Sequence, residues 1–457
     1  MTYEESVRAL LALGRELAAP QHARVQKFGL ANISTLAEAL GDPQRTAPCV
    51  HIAGTNGKGS TAAMLDSILR SAGFRVGLYT SPHLQRINER IRIDGEDISD
   101  EKFAAAWTHV HSVIERLLAN GKLAAHPTYF ECVTALAFVA FADARIDFAV
   151  YEVGLGGRLD ATNIVEPRVA VITSIDFDHE SFLGHSIAEI ATEKAGIIKT
   201  GAVVASSAEQ PEARAVIARR CSEAGARLVE VDDYWRIEKI ESSGGFYGAV
   251  ARSRDSGNPL NIQPALAGRF QIRNALAAAT AARLLAERGF AIKDAAIEKG
   301  IASAKWVGRL ERLLEHPSVY VDGTHNPSGA RELINFWREN FEGRKIILVY
   351  GAMRDKAVDE IAGLLFPSAD FVILTQPIQP RAISAPLLAE MTSHLAKGSI
   401  VVADPGEALE HAIDIASPDD AIFATGSLYL VGDLRSYWSK RDAVVATRVK
   451  NPIHRRI

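Results

Sequence analysis

The residues best placed to do chemistry form one run, His51-Ile52-Ala53-Gly54-Thr55-Asn56-Gly57-Lys58-Gly59-Ser60-Thr61. An apolar stretch precedes it, and a helical pattern through Met64, Leu65, Ile68 and Leu69 follows. In a strand–loop–helix of this kind, glycines let backbone N–H groups close around phosphate oxygens. The helix N-terminus adds its positive end and Lys58 adds a point charge. The usual phosphate loop carries a hydroxyl directly after the lysine, whereas here Gly59 intervenes before Ser60. The run therefore reads as a variant nucleotide-phosphate cradle.

Two carboxylates stand where such a cradle needs help. Glu152 lies near the end of the apolar run 148–153, and open α/β sheets gather their ligands at the carboxyl ends of strands. A carboxylate there suits the Mg²⁺ that accompanies a nucleotide, because Mg²⁺ prefers hard oxygen ligands and keeps several waters. On spacing alone, a capping or salt-bridging role for Glu152 stays open. Asp322 ends another apolar run and His325 follows in the turn before a helical segment, a place suited to ribose and phosphate contacts. A helix N-cap is the alternative for Asp322.

Positioning these groups takes two sheets. The runs 48–53, 75–80, 148–153, 169–174 and 202–206 read as strands separated by helical periodicity. They lack strict alternation, so helices should cover both faces of their sheet. The segment 235–263 breaks this rhythm with Ser242, Ser243, Gly244, Gly245 and Gly257 and reads as an antiparallel excursion. An Ala-rich helix is expected over about 271–287. After Trp306 a second alternation begins, with strands expected at 319–322, 345–350, 371–375, 400–403 and 421–424. The fold class is α/β: a P-loop-type doubly wound N-terminal domain over 1–304, then a smaller Rossmann-like C-terminal domain over 305–438. The basic segment 439–457 reads as a solvated tail.

Composition narrows the function. The chain has 457 residues, of which 47% are hydrophobic and 23% charged, an ordinary globular balance that excludes disordered and fibrous classes. With 51 basic and 55 acidic residues the net charge is −4, so no global positive field is present to hold a nucleic-acid backbone. Three widely spaced cysteines, Cys49, Cys132 and Cys221, offer neither a disulfide framework nor a zinc–thiolate site and fit a reducing cytoplasm. The first twenty residues carry charges on a helix-like pattern and do not read as a signal peptide. The most apolar stretch, 133–142, is too short to span a bilayer and reads as a buried helix.

Further strings accompany the loop: Ser81-Pro82-His83-Leu84, Thr128-Tyr129-Phe130-Glu131, and Glu152-Val153-Gly154-Leu155-Gly156-Gly157-Arg158-Leu159-Asp160-Ala161-Thr162-Asn163. They continue with Asp178-His179, Glu193-Lys194-Ala195-Gly196 and Asp322-Gly323-Thr324-His325-Asn326-Pro327. Together, and in this order over about 27–430, they resemble the folylpolyglutamate synthase and dihydrofolate synthase family, in its bifunctional bacterial form. That family is related to the Mur peptide ligases, which usually have a hydroxyl residue where Gly59 stands.

The resemblance implies an ATP- and Mg²⁺-dependent amide ligase that adds L-glutamate to folates and to dihydropteroate through an acyl phosphate. It assigns ATP binding to Asn56, Gly57, Lys58, Gly59, Ser60, Asn274, Arg309, Asp322 and His325. Magnesium goes to Ser81, Glu152 and His179, joined by Lys194 as a carbamate formed from its neutral amine and CO₂. Lys58, Lys194 and His179 are the implied catalytic residues, and a monovalent cation is a further candidate cofactor. The folate or pterin pocket falls on Lys27, Phe28, Gly29, Thr128, Tyr129, Phe130, Glu131, Leu159, Asp160 and Ala161. An aromatic face and a carboxylate suit a flat, hydrogen-bonding ring. Lys27 departs from the acidic residue of some bifunctional members. The expected partners are small molecules, with no nucleic acid and no membrane, for a cytoplasmic monomer.

Two other readings are weighed against this one. Mur-type peptide ligases carry a separate domain of roughly a hundred residues ahead of the loop, and 57 residues precede Lys58 here. A nucleotide-dependent regulatory protein would use the same cradle as a switch.

Overall fold

The computed structural model describes residues 1–14, 29–255 and 258–450, with side chains as far as residue 441. The chain forms two compact units: Met1–Ala265 with Arg269–Trp306, and Val307–Ile457 with Leu266–Gly268.

The first unit is built on an eight-stranded sheet: β1 (Cys49–Ala53), β2 (Val76–Tyr79), β3 (Ile91–Ile93), β4 (Glu96–Asp97), β5 (Phe148–Glu152), β6 (Val169–Ile172), β7 (Val203–Ser206) and β8 (Arg227–Glu230). Their order is β4-β3-β2-β5-β1-β6-β7-β8. From β2 to β8 neighbours run parallel, and β3 and β4 add an antiparallel edge. Every residue of β1, β2, β5, β6 and β7 is buried, as their unbroken apolar runs require. β1 sits centrally, with β5 on one side and β6 on the other, so the chain changes direction across the sheet where the loop after β1 emerges.

The strands β3 and β4 were not legible as strands because β3 is only three residues long and β4 is two polar residues at the sheet edge. Their turn carries the signal: Asp94 and Gly95 both have positive φ, 57° and 87°, the requirement of a tight two-residue hairpin that Asp-Gly meets. The apolar stretch expected as a buried helix lies within Tyr129–Ala144, capped by Thr128. The irregular segment forms a three-stranded antiparallel sheet, β9 (Trp235–Ser243), β10 (Phe246–Ser253) and β11 (Pro259–Ile262), in order β11-β10-β9. Trp235 ties it to the Ala-rich helix Phe270–Glu287: its Nε1 donates to Thr280 Oγ1 at 2.8 Å, and the Arg283 guanidinium lies 4.7 Å from its ring centre. The helix Asp294–Ser303 crosses Lys58–Ser71 at Gly300, where a Cβ would lie 2.3 Å from Ile68 Cα.

The second unit is a six-stranded sheet of β12 (Glu311–Leu314), β13 (Ser318–Val321), β14 (Ile346–Tyr350), β15 (Phe371–Leu374), β16 (Ser399–Val401) and β17 (Ala421–Thr425), in order β12-β13-β17-β14-β15-β16. All pairs are parallel except β12 with β13. One face is packed by Tyr320, Phe336, Phe341 and Phe423; Tyr320 stacks on Phe423 at 5.2 Å and 11°. The last helix runs Leu428–Lys450, so the backbone of the basic segment read as a tail continues this helix to Lys450. Residues 451–457 lie outside the described residues. Among the described residues, no helix is long and apolar enough to cross a membrane.

Candidate active site

The loop between β1 and the helix Lys58–Ser71 is fastened to the end of the neighbouring strand β6. Thr55 N donates to Ser174 O at 2.7 Å, and Thr173 Oγ1 donates to Asn56 O at 2.7 Å. The hydroxyl of Thr55 donates to Asp176 O and accepts from Asp176 N, each at 3.0 Å. Two glycines are demanded by these contacts. At Gly54 a Cβ would lie 1.8 Å from Thr173 Oγ1, and at Gly57, with φ +86°, one would lie 2.3 Å from Asn274 Oδ1. Asn274 is held in turn by Gln271, whose Oε1 accepts from Asn274 Nδ2 at 2.9 Å while its Nε2 donates to Ser60 Oγ at 3.4 Å.

Two lysine amines meet on one carbonyl. Lys58 Nζ donates to Gly54 O at 3.0 Å and to Thr55 O at 3.1 Å; Lys194 Nζ, from the helix Ile187–Ala195, donates to Gly54 O at 2.8 Å. Lys194 is 4% exposed. Burial, helped by the positive charge of Lys58 and opposed by Asp178, brings its pKa down from 10.5 to about 7. A large fraction of this amine is neutral and nucleophilic at neutral pH. Asp178 and His179 lie at the end of the segment after β6; His179 has φ +52°, its N–H donates to Asp178 Oδ1 at 2.9 Å, and its Nε2 is 3.8 Å from the same oxygen.

At the end of β5, Glu152 is buried and its Oε2 accepts from Ser81 N at 3.2 Å, so this pair meets beyond the adjacent ends of β5 and β2. A buried carboxylate beside a hydroxyl residue is a hard-oxygen donor set, which fits Mg²⁺.

The loop 154–163 folds back over the helix Ile187–Ala195. Arg158 N donates to Glu193 O, the Arg158 guanidinium pairs with Glu193, and Asn163 Nδ2 bridges the carbonyls of Arg158 and Gly196. Asp160 holds this loop from inside: Oδ2 accepts from Gly154 N and Leu155 N at 3.0 Å each, and Oδ1 accepts from the N–H and the hydroxyl of Thr162. Burial pushes its carboxyl pKa up against these four donors. Four donors occupy about all the acceptor positions of a carboxylate. These contacts give Asp160 a role in holding the loop 154–163. Thr128 and Glu131 are likewise engaged in a reciprocal helix cap, Thr128 N donating to Glu131 Oε2 at 2.7 Å. Phe130 is the half-buried aromatic here: its ring tip lies 2.4 Å from where a Gly154 Cβ would stand, and its centre is 6.2 Å from that of Tyr79. Tyr129 is buried with the Arg90 guanidinium 5.6 Å from its ring centre.

In the second unit, Asp322 is buried and accepts from Leu310 N at 2.8 Å and Thr324 N at 2.9 Å. His325 Nδ1 is 2.7 Å from Gly323 O, and a Cβ on Gly323 would lie 2.5 Å from an Arg309 guanidinium nitrogen. Asn326, not Asp322, caps the helix Pro327–Asn340.

Residues 52–282 match the family profile described as Mur ligase middle domain, and residues 308–428 match the one described as Mur ligase, glutamate ligase domain. A dihydrofolate synthase/folylpolyglutamate synthase of Bacillus subtilis is 36% identical over 90% of this chain and 94% of its own length. The chain belongs to the folylpolyglutamate synthase/dihydrofolate synthase family. Among solved structures of the family, one described as E. coli FolC in complex with DHPP and ADP superposes with a TM-score of 0.83 at 29% identity, covering 97% of this chain and 99% of that one. A bifunctional folylpolyglutamate synthase/dihydrofolate synthase from Yersinia pestis, complexed with AMPPNP and a Mn ion, has a TM-score of 0.78 at 30% identity, covering 95% and 98%.

In this family member the fold gathers Asn56, Gly57, Lys58, Lys194 and Asn274 around one loop, and pairs Ser81 with Glu152 at a neighbouring strand end. Leu159 and Ala161 flank Asp160 on the loop it holds, with Ala161 buried. Gly29 precedes the helix Ala31–Ala39, while Lys27 and Phe28 lie outside the described residues. Sequence reasoning missed Thr173, Gln271 and Trp306. The first two fasten the loop and its partner Asn274, and their signal is their position beyond β6 and one turn before Asn274. Trp306 explains the departure at Gly59: a Cβ there would lie 2.8 to 3.0 Å from the Trp306 indole, so a hydroxyl residue has no room.

Proposed function

We propose that this chain is an ATP- and Mg²⁺-dependent ligase that joins L-glutamate to folates and to dihydropteroate. Membership of the family supports the reaction. The observation that carries the nucleotide end is the convergence of the Lys58 and Lys194 amines on the Gly54 carbonyl, at the mouth of the phosphate loop. Arg309, Asp322 and His325, with Asn274, are proposed as further ATP ligands. Gly29, Thr128, Tyr129, Phe130, Glu131, Leu159, Asp160 and Ala161, with Lys27 and Phe28, are proposed for the pterin end, Asp160 by holding its loop. A domain over 1–304, a ligase domain over 305–438, a monomeric state and a cytoplasmic setting belong to the same proposal.

In the proposed reaction a substrate carboxylate oxygen attacks the γ-phosphorus of ATP and the bond to the β,γ-bridging oxygen breaks, releasing ADP and leaving an acyl phosphate. The glutamate amine then attacks the acyl carbon, phosphate departs with the carbon–oxygen bond, and the amine loses a proton. The chain's own part is positioning and charge neutralisation, with Lys58 along the phosphates. Glu152, Ser81 and His179 would hold the divalent metal, which supplies charge neutralisation at the phosphates when bound. Lys194 can join them after its neutral amine takes up CO₂: an N–C bond forms, one N–H proton leaves, and the carbamate supplies two hard oxygens.

The test is ADP release and product mass with dihydropteroate or tetrahydrofolate, each with ATP, Mg²⁺ and glutamate. Beyond a first equivalent, continued ADP release should require both the acid and glutamate, with a product one glutamyl unit heavier. Continued ADP turnover that is independent of both the acid and glutamate would point to a nucleotide switch.

A further inference from the structure

A cluster away from the phosphate loop has the chemistry of a metal site. His111 and Glu115 sit four residues apart on the helix Asp100–Ala119, and this spacing puts both side chains on one face. His126 comes from the segment that leads to the next helix, Tyr129–Ala144. One ligand atom from each of the three lies within 4.8 Å of the other two.

The two imidazoles are prepared for a metal in different ways. His126 Nδ1 is 2.8 Å from the carbonyl of Pro127. That contact requires Nδ1–H, which leaves the lone pair on Nε2, the usual arrangement by which a backbone carbonyl orients a metal-binding histidine. His111 stacks on Trp107, ring centres 5.5 Å apart and 23° from parallel, which fixes its plane. Its Nδ1 is buried without a hydrogen-bond partner, a costly condition that a bound cation or a proton donor would relieve.

We propose that His111, Glu115 and His126 bind one first-row transition-metal ion of the zinc class, which ties the segment 120–127 to the helix Asp100–Ala119. Two imidazoles and one carboxylate select Zn²⁺, Co²⁺ or Ni²⁺ over Mg²⁺ and Ca²⁺, which favour oxygen-rich donor sets. Tetrahedral zinc at about 2.0–2.2 Å needs ligand atoms about 3.4 Å apart, so closure asks for movements of roughly an ångström. An exposed side chain such as Glu115 makes these by rotamer change. Water completes the coordination, since Glu115 faces solvent. Held this way, the segment delivers Thr128 to its capping position, one residue before Tyr129 and two before Phe130. The site shares no residue with the proposed Mg²⁺ site and offers two imidazoles where that one offers a single imidazole, and it stands whether or not the ligase reading does.

The experiment is a zinc titration of the full chain, freed of any affinity tag and stripped with chelator, in millimolar Mg²⁺. Thermal unfolding is followed in parallel. The wild type should take up one Zn²⁺ equivalent at micromolar or tighter Kd, and zinc should raise its unfolding midpoint. His126→Ala should lose both effects, and Glu115→Gln should bind at least tenfold more weakly. Co²⁺ should reproduce the uptake with the intense visible bands of a four-coordinate ion, whereas Ca²⁺ should shift nothing. Identical stoichiometry, and affinity within twofold, in wild type and Glu115→Gln would overturn the proposal. Because Glu115 is exposed, that comparison stands even if His126→Ala proves poorly folded.

Discussion

At the scale of single residues, Gly59 and Lys58 define the cradle by opposite means. Gly59 is set by exclusion, since the indole of Trp306 fills the space a side chain would need, and the Arg92 guanidinium, 5.2 Å from that ring centre, backs it. Gly59→Thr should raise the KM for ATP at least tenfold, and adding Trp306→Ala should return part of the loss. Equal defects in the single and double variants would remove the indole as the cause. Lys58 spends its amine on two loop carbonyls at the start of its helix. Lys58→Ala should therefore lower ADP formation at least a hundredfold while shifting the thermal midpoint by no more than a few degrees, read by coupled assay and by calorimetry. The ligase reading would lose its nucleotide site if turnover were unchanged.

At the scale of elements, β1 is linked to the loop after β5 through a buried chain of hydrogen bonds. Thr162 uses its one hydroxyl proton on Asp160, so His51 Nε2, 2.8 Å from that hydroxyl, must donate to it. His51 is thereby neutral and protonated on Nε2, with Nδ1 buried and unpaired. Burial, aided by Lys199, lowers its pKa from 6.5 to about 3. Between those values the unfolded chain binds a proton that the folded chain refuses, so stability falls as pH drops from 6.5 towards 3, by at most about 1.4 kcal/mol per pH unit from this group. His51→Gln should flatten that part of the stability curve relative to wild type, measured by denaturant unfolding at pH 4 and pH 7. A parallel downward shift at both pH values would assign the acid sensitivity elsewhere. Asp160, at the other end of the chain, positions the loop 154–163 for any acid substrate. Asp160→Ala should thus depress turnover of dihydropteroate and of tetrahydrofolate by factors within threefold of each other. A loss confined to dihydropteroate would instead assign Asp160 a direct pterin contact.

At the scale of the whole molecule, each unit has a sheet and a core of its own. The six strands β12 to β17 close around the Tyr320, Phe336, Phe341 and Phe423 cluster without a strand from the first unit. A fragment beginning at Val307 should then unfold cooperatively in denaturant with near-ultraviolet dichroism from these rings, while forming no ADP from ATP. A fragment lacking a cooperative transition would mean that this core needs the rest of the chain.

What the sequence determined by itself is what local order can encode. Unbroken apolar runs announce strands buried on both faces, so β1, β2, β5, β6, β7 and most of β13 to β17 were legible within a residue or two, as were the phosphate loop and the helix over Phe270–Glu287. The motif strings carried the family. Short polar edges such as β4 and β12 were not legible, because an edge strand needs no apolar signature. Tertiary structure alone decided which groups are already occupied and which are free. Asp160 spends its carboxylate on its own loop, Lys194 loses its solvent at a carbonyl 140 positions away, and Trp306 lies over Gly59. His126 comes within reach of His111 and Glu115. Periodicity reports which face of an element is buried; the partner a buried polar group finds is set by packing between segments far apart in the chain, and that is where the chemistry of this site is fixed.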